Sequence, residues 1–266
     1  MSVPESELEQ AKRHRQRMLF DAIAGQYEQA RPGYPAPVVD FVTATAGLSP
    51  GAAILEVGCG TGQLTEQLAS RGYRLTAIDV GPAMIAAARR RLTTAGISGP
   101  EIVLQAVSFE DFRKGDGSFD LIVSAAAFHW IDPEVAFTKS ARLLPPGGWL
   151  ALLGTEERYD DPVGAALEDL WIRHGDTGGA WQRRPSDPEA IAATGQFGTP
   201  AAWAHQEPAV LTAEEVVALE STRATFLGWP PGRQRQFTGE LHRLLGPAPV
   251  VHLTRSTSVT MARKGG

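Results

Sequence analysis

ILEVGCGTGQLTEQL, residues 54–68, decides the fold. Ile54 to Val57 read as a short buried strand. Gly58, Gly60 and Gly62 follow at alternate positions, and a helical pattern starts at once after them. Glycine lets a backbone bend sharply and approach a ligand with no Cβ in the way. Two readings are open at this point: a tight strand–helix turn, or a cradle for a nucleotide. A dinucleotide-binding turn needs G-x-G-x-x-G. Counted from Gly58 its last position is Gln63, and counted from Gly60 it is Thr65, so that fingerprint is absent. The pattern present is Glu56-x-Gly58-x-Gly60-x-Gly62.

Working outward, apolar runs alternate with helical segments. YRLTAID follows as a second strand, and PAMIAAARRRLTTAG as a helix with Pro82 in its first turn and Gly96 at its end. EIVLQAV, FDLIVSAAA and WLALLG read as three more strands, with DPEVAFTKSARLL as a helix between the last two. Alternation at this spacing implies a parallel sheet with right-handed crossovers. Residues 5–30 read as a charged helix with Leu8, Met18, Leu19, Phe20 and Ile23 apolar, ended by Arg31-Pro32. After Gly154 the rhythm changes. Helical pieces lie between Gly/Pro-rich joints, AAWAHQEPAVL reads as a strand near 201–211, and VVHLTRSTSVTMAR closes the chain as a strand. The expected division is an N-terminal helical cap (1–36), a nucleotide-binding core (37–155), a lid or specificity insertion (156–235) and a C-terminal helix with the closing strand (236–266).

The 266 residues are 43% apolar, which provides a sizeable core. Net charge is −5 and the pI about 5.7, against a general grip on nucleic acid. No run of about 18 apolar residues is present to span a membrane. The N-terminus has no apolar signal region, and the one cysteine, Cys59, forms no internal disulfide. These features lead us to expect a cytoplasmic protein. The histidines are scattered rather than paired at ligand spacing, so no metal is expected.

Four stations gather at one edge of the expected sheet: the glycine turn, Asp79 ending the second strand, SFED (Ser108–Asp111) past the third, and SAAAFHWIDP past the fourth. Ligands of open α/β folds bind at that edge. With these residues the chain resembles the class I S-adenosylmethionine-dependent methyltransferases. YEQARPGYP, SFEDF and FHWIDP make it similar to the trans-aconitate-methyltransferase-like group that acts on small molecules. The resemblance implies a Rossmann-like three-layer α/β sandwich, with a seven-stranded, mostly parallel sheet whose last strand is antiparallel, plus a helical lid. It implies S-adenosyl-L-methionine as cofactor, S-adenosyl-L-homocysteine as product, and methyl transfer to O or N of a small molecule.

The same resemblance assigns roles. Gly58, Gly60 and Gly62 would bring backbone to the methionine part, and Glu56 would support that loop or meet the amino group through water. Asp79 would hold the ribose hydroxyls. Val80, Met84 and Phe109 would face adenine, and Glu110 its exocyclic amine. Ser124 and Ala125 would run under the cofactor, with Tyr27 and Arg31 closing over its amino-acid end. Tyr34, Phe128, His129, Trp130 and Trp171 are the expected substrate wall. Ala106-Val107 stand where many relatives carry a small-acidic pair, which moves the adenine contact to SFED.

Several residues keep two readings. Cys59 is a buried filler or a nucleophile, and buried filler is the more common use. Asp79 is a ribose ligand or a helix cap. His129 is a general base, an orienting group, or part of a wall with Phe128 and Trp130. Trp171, Trp181, Trp203 and Trp229 supply the lid with aromatics, as core or as a pocket wall. Arg183-Arg184 are solvated or receive an acidic substrate. Two other functions use the same site: other chemistry on the cofactor, such as a cyclisation, and a binding module without catalysis.

Overall fold

The computed structural model describes residues 15–176, 188–246 and 250–265. Leu8, the glycine joint at 177–179, Trp181 and the Arg183–Arg184 pair lie outside these residues. Five strands follow in the expected order, with helices between all of them but β3 and β4: β1 (Ala53–Val57), β2 (Arg74–Asp79), β3 (Ile102–Ala106), β4 (Leu121–Ala125) and β5 (Trp149–Tyr159). With β6 (Ala201–Leu211) and β7 (Val251–Arg263) they form one sheet of order β3-β2-β1-β4-β5-β7-β6. β1 to β5 run parallel, and β7 is antiparallel to both β5 and β6. The strand order reverses between β1 and β4. A crevice opens there at the carboxyl ends of the strands.

Alternation along each central strand sends side chains to opposite faces. Leu55 and Val57 of β1, Ile122 of β4, and Leu150 and Leu152 of β5 join one apolar cluster. Ile54, Leu121, Val123, Ala151 and Leu153 join the other. The first cluster is completed by Phe109, Phe112, Phe119 and α6 (Pro133–Leu143). The second is completed by α3 (Ala36–Thr45), α4 (Gln63–Ala69) and α5 (Pro82–Thr94). A parallel sheet buried on both faces explains why AILEV carries no polar-out alternation.

Beyond the sheet edge a third cluster forms from α7 (Val163–Arg173), α9 (Ala213–Glu220), α10 (Ala224–Leu227), α11 (Pro231–Leu245) and the outer ends of β5 and β7. Two expected boundaries fall inside elements. β5 continues past Gly154 to Tyr159, because its polar half pairs with β7 from Gly154↔Ser258 to Tyr159↔Leu253. α11 runs unbroken across residue 235 and packs Phe237, Leu241 and Leu245 into the lid cluster. The strand expected at 201–211 is β6, with those bounds. The N-terminal helix breaks at Ile23 into α1 (residues 15–22) and α2 (Ala24–Ala30).

α1 is fastened to the core through a cap supplied from outside. The N-cap of α5 is Gly81, which has no side chain to satisfy the first N–H groups. Asp21 Oδ1 accepts those of Ala83 (2.7 Å) and Met84 (3.1 Å) instead. A Cβ on Gly81 would stand 2.4 Å from that oxygen. Asp21→Ala is expected to cost about 1–2 kcal/mol, the scale of a lost cap. Urea denaturation checks this, and a midpoint equal to wild type would show that α1 docks by other contacts.

Candidate functional site

The glycine turn caps the carboxyl ends of β1 and β2. Gly58 and Cys59 donate their N–H groups to Ile78 O at 2.8 and 3.0 Å. Gly58, Gly60 and Gly62 take φ of 74°, 54° and 88°, in the left-handed region that favours glycine. Their spatial reasons differ. A Cβ on Gly58 would lie 2.2 Å from Ala127 Cβ, and one on Gly62 would lie 2.9 Å from Ala88 Cβ on α5. At Gly60 the nearest neighbour would be the Tyr27 ring at 4.0 Å. Gly58 and Gly60 line the crevice, whereas Gly62 seats α4 against α5 and lines none of the three cavities.

Asp79 braces this turn. Its Oδ2 accepts Gly60 N–H at 3.0 Å, and its Oδ1 accepts Gly81 N–H at 2.9 Å. Burial pushes its carboxyl above the usual range, against the pull of those two bonds. A carboxylate oxygen accepts more than one hydrogen bond, so both oxygens keep capacity for a ligand. Asp79, Val80, Met84 and Phe109 line a first cavity of about 110 Å³, together with Val107 and Ile131.

Lys139 on α6 holds the turn that presents Phe109. Its Nζ donates to the carbonyls of Phe109 (2.5 Å), Glu110 (3.1 Å) and Phe112 (2.6 Å) and lies 5.1 Å from the Phe109 ring centre. Glu110 does not line the cavity. Its carboxylate is taken by Arg17 at 2.7 and 3.2 Å and by Asp132 N–H at 3.1 Å. Burial raises this carboxyl, but the guanidinium of Arg17 outweighs it and holds the group below the usual range. Glu110 thus anchors Arg17, and Arg17 lines the cavity. Arg17 also donates to Trp130 O. Nothing in the one-dimensional pattern of α1 distinguishes Arg17 from its neighbouring cations.

A third cavity, about 70 Å³, lies beyond the glycine turn and is lined by Tyr27, Arg31, Tyr34, Glu56, Gly60 and Glu157 among others. Tyr34, expected beside Phe128, His129 and Trp130, lines this cavity, whereas those three line the second one. Gln67 fixes Tyr34 by bonding its backbone N–H and carbonyl. Glu56 is buried and accepts one hydrogen bond, from Thr65 Oγ1 at 2.7 Å. Burial pushes its carboxyl up to about 8, the Thr65 bond opposes this, and the charge of Asp79 adds to it.

The second cavity, about 350 Å³, lies over the ends of β4 and β5. Ser124, Phe128, His129 and Trp130 line it, as do Tyr27 and Arg31 from the N-terminal segment. Ser124 Oγ donates to Val57 O at 2.8 Å, which locks β4 to β1. A 3₁₀ turn (Phe128–Trp130) presents His129, whose ring lies 4.7 Å from that of Trp130. Ala125 lines the first and third cavities. Ala126, with φ 53°, and Tyr27 line all three, a role that sequence reasoning missed for Ala126. Arg31 Nε donates to Thr222 Oγ1 at 2.9 Å, tying the N-terminal segment to the lid.

Trp171 lines none of the three cavities; it sits in the third apolar cluster and donates Nε1–H to the fully buried Glu220 at 2.9 Å. Trp229 packs in the same cluster, and Trp203 stacks on Phe41 at 4.6 Å. Cys59 is buried, and burial pushes its thiol well up, as a filler requires.

The sign of the Glu56 effect follows from linkage. Between the ordinary 4.5 and about 8 the folded state holds the proton more tightly than the unfolded chain. Its contribution to stability is full below that window and is lost as pH rises through it. Glu56→Gln removes the loss. The melting temperature of the variant should gain on wild type as pH climbs from about 5 to about 8. A difference that stays flat across this range would show that Glu56 is already ionised.

Residues 55–152 match the family model described as a methyltransferase domain. An uncharacterized methyltransferase of Mycobacterium tuberculosis is 35% identical over 134 residues, covering 50% of this chain and 51% of that protein. A ubiquinone biosynthesis O-methyltransferase of Xanthomonas oryzae is 36% identical over 116 residues, covering 43% of this chain and 47% of that one. The chain spans about half the length of the curated relatives it matches. Among solved structures, a chain from Anaeromyxobacter dehalogenans superposes with TM-score 0.63 at 21% identity, over 88% of this chain and 97% of that one. The [4+2]-cyclase SpnF superposes with TM-score 0.58 at 18% identity, over 93% and 94%. These two likenesses show the fold. By the family match residues 55–152 are a methyltransferase domain, set in a seven-stranded sheet of order β3-β2-β1-β4-β5-β7-β6.

Proposed function

We propose that the protein transfers a methyl group from S-adenosyl-L-methionine to oxygen or nitrogen of a small molecule, within the trans-aconitate-methyltransferase-like group. The observation that carries this is the order of chemistry along the crevice. An apolar slot of Val80, Met84 and Phe109 comes first, then the Asp79 carboxylate, then the Glu56 and Arg31 pair. That order fits a flat base, a vicinal diol and a zwitterionic amino acid in sequence. Asp79 would hold the ribose hydroxyls, Arg31 the carboxylate and Glu56 the ammonium. Gly58, Gly60, Ser124 and Ala125 supply the floor. A cytoplasmic setting is part of the proposal, supported by the single cysteine. So is action on small molecules and not on nucleic acid, supported by the net charge of −5.

The donor supplies an electrophilic methyl on a sulfonium. A lone pair of the acceptor forms the new bond to that carbon as the C–S pair returns to sulfur in line. The chain provides alignment, worth up to ~7–11 kcal/mol, and dry walls from Tyr27, Phe128 and Trp130. A hydroxyl or ammonium acceptor must also lose a proton, and His129 lines the cavity where that happens. We read His129 as the group that orients the acceptor by hydrogen bonding. SpnF, of the same fold, is named a cyclase. Product mass separates that chemistry from methylation, which adds one methyl and yields S-adenosyl-L-homocysteine.

Calorimetry tests the donor site. Wild type binds S-adenosyl-L-homocysteine, and Asp79→Ala loses roughly 1.5–3 kcal/mol of affinity, the scale of bonds to a charged group. The variant also loses stability, because two backbone N–H groups lose their acceptor. Folded wild type that ignores both S-adenosyl ligands would end the reading. Turnover tests His129. His129→Ala is expected to slow methyl transfer about 10²-fold or more at unchanged donor affinity. His129→Asn is expected to restore most of the rate. An Asn variant as slow as Ala, with the neutral-pH limb of the rate profile gone, would make His129 the base.

A further inference from the structure

The second cavity, at about 350 Å³ against about 110 and 70 Å³ for the others, is where an acceptor fits if the methyltransferase reading holds, and this inference rests on that reading. Its apolar lining comes from Phe20, Tyr27, Phe128, Trp130, Leu152 and Leu153. Its charged lining comes from Arg31, His129, Glu156, Glu157, Asp176 and Arg223.

The two arginines have other work. Arg223 Nε meets Glu220 Oε2 at 2.6 Å, and Glu220 is fully buried, so that pair stays closed. Tyr159 and Trp171 hold Glu220 from the other side at 2.8 and 2.9 Å. Arg31 also lines the third cavity, where the methyltransferase reading gives it the carboxylate of the donor.

Glu157 is different. It lies on the extension of β5, and its side chain is 4% exposed. It lines both the second and the third cavities, at the seam where donor and acceptor meet. Its countercharge is Arg255 on β7, at 3.7 Å. Neither Glu157 Oε1 nor Arg255 Nε has a hydrogen bond, though both are buried. A buried carboxylate oxygen with so loose a partner is short of a donor. Glu156 and Asp176 add negative charge on the same side.

We infer that the acceptor is a small molecule with an apolar body and a protonated amine, and that Glu157 selects it by binding that amine. A cation satisfies the carboxylate, and the aromatic walls favour it further. An anionic acceptor meets Glu156 and Glu157 as like charges.

The test uses the full chain saturated with S-adenosyl-L-homocysteine and a matched set of probes, by calorimetry. Tyramine is cationic, N-acetyltyramine neutral and para-hydroxyphenylacetate anionic. Tyramine is expected to bind at least about tenfold more tightly than the other two. Glu157→Gln is expected to bring tyramine down to the level of N-acetyltyramine, measured with S-adenosyl-L-homocysteine kept saturating. Because that change leaves Arg255 without its countercharge, a second variant carries Glu157→Gln with Arg255→Met, and the same loss is expected. The inference is overturned if the anionic probe binds as tightly as tyramine, if no probe binds, or if the variants keep the preference for the cation. It is also overturned if they lose the S-adenosyl ligand together with tyramine, which would place Glu157 on the donor. Wild type that fails to bind S-adenosyl-L-homocysteine fails the methyltransferase reading itself, before any probe is added.

Discussion

Asp79 accepts backbone N–H groups from two loops at once, Gly60 from the turn after β1 and Gly81 from the turn after β2. Every cavity of the crevice borders one of those loops or a residue packed on them. The bracing works because β1 and β2 pair in register up to Val57↔Ile78. Ile78 O then takes the N–H groups of Gly58 and Cys59, so the glycine turn folds back over the end of β2. A buried carboxylate is costly unless hydrogen-bonded. Here the two backbone donors offset part of that cost, though burial still raises the carboxyl, and they leave acceptor capacity toward the crevice.

The N-terminal segment closes this arrangement from above. Asp21 caps α5, and Arg17 spans Glu110 and the carbonyl of Trp130. Phe20 packs edge-on against Tyr27 and Trp130, at 5.9 and 6.0 Å. The roof over the first cavity is thus joined to the turns after β2, β3 and β4 by polar contacts on a helix of eight described residues. Polar latches with little apolar burial open at low cost. Such a roof suits a site that must admit and release a ligand on every cycle.

Beyond the sheet edge the chain builds a second small core. Trp171, Trp229, Phe226 and Phe237 pack together, and Glu220 collects Tyr159, Trp171 and Arg223 in one buried network. Its link to the N-terminal segment is the bond from Arg31 to Thr222. The second and third cavities share walls at Tyr27, Arg31 and Glu157.

The central α/β alternation, the glycine turn, Asp79 and the FHW turn were legible in the sequence. Each rests on a local signal: backbone conformation that only glycine takes readily, hydrophobic periodicity, or a residue at the end of a strand. β6 was legible for the same reason, as an apolar–polar run bounded by turn residues. The polar half of β5 was not, because TEERY earns its strand conformation only by pairing with β7 about a hundred positions away. Tertiary structure alone decided which charges meet. Glu110 reads as a ligand until Arg17 arrives from another element, Trp171 reads as a pocket wall until Glu220 buries it, and Glu157 carries no signal until β5 reaches the acceptor cavity. The sequence by itself determined the strand and helix order and the positions of the ligand-facing turns, since those follow from backbone preferences within a few residues. Pairing between side chains far apart in the chain depends on distances that exist only after the layers have packed.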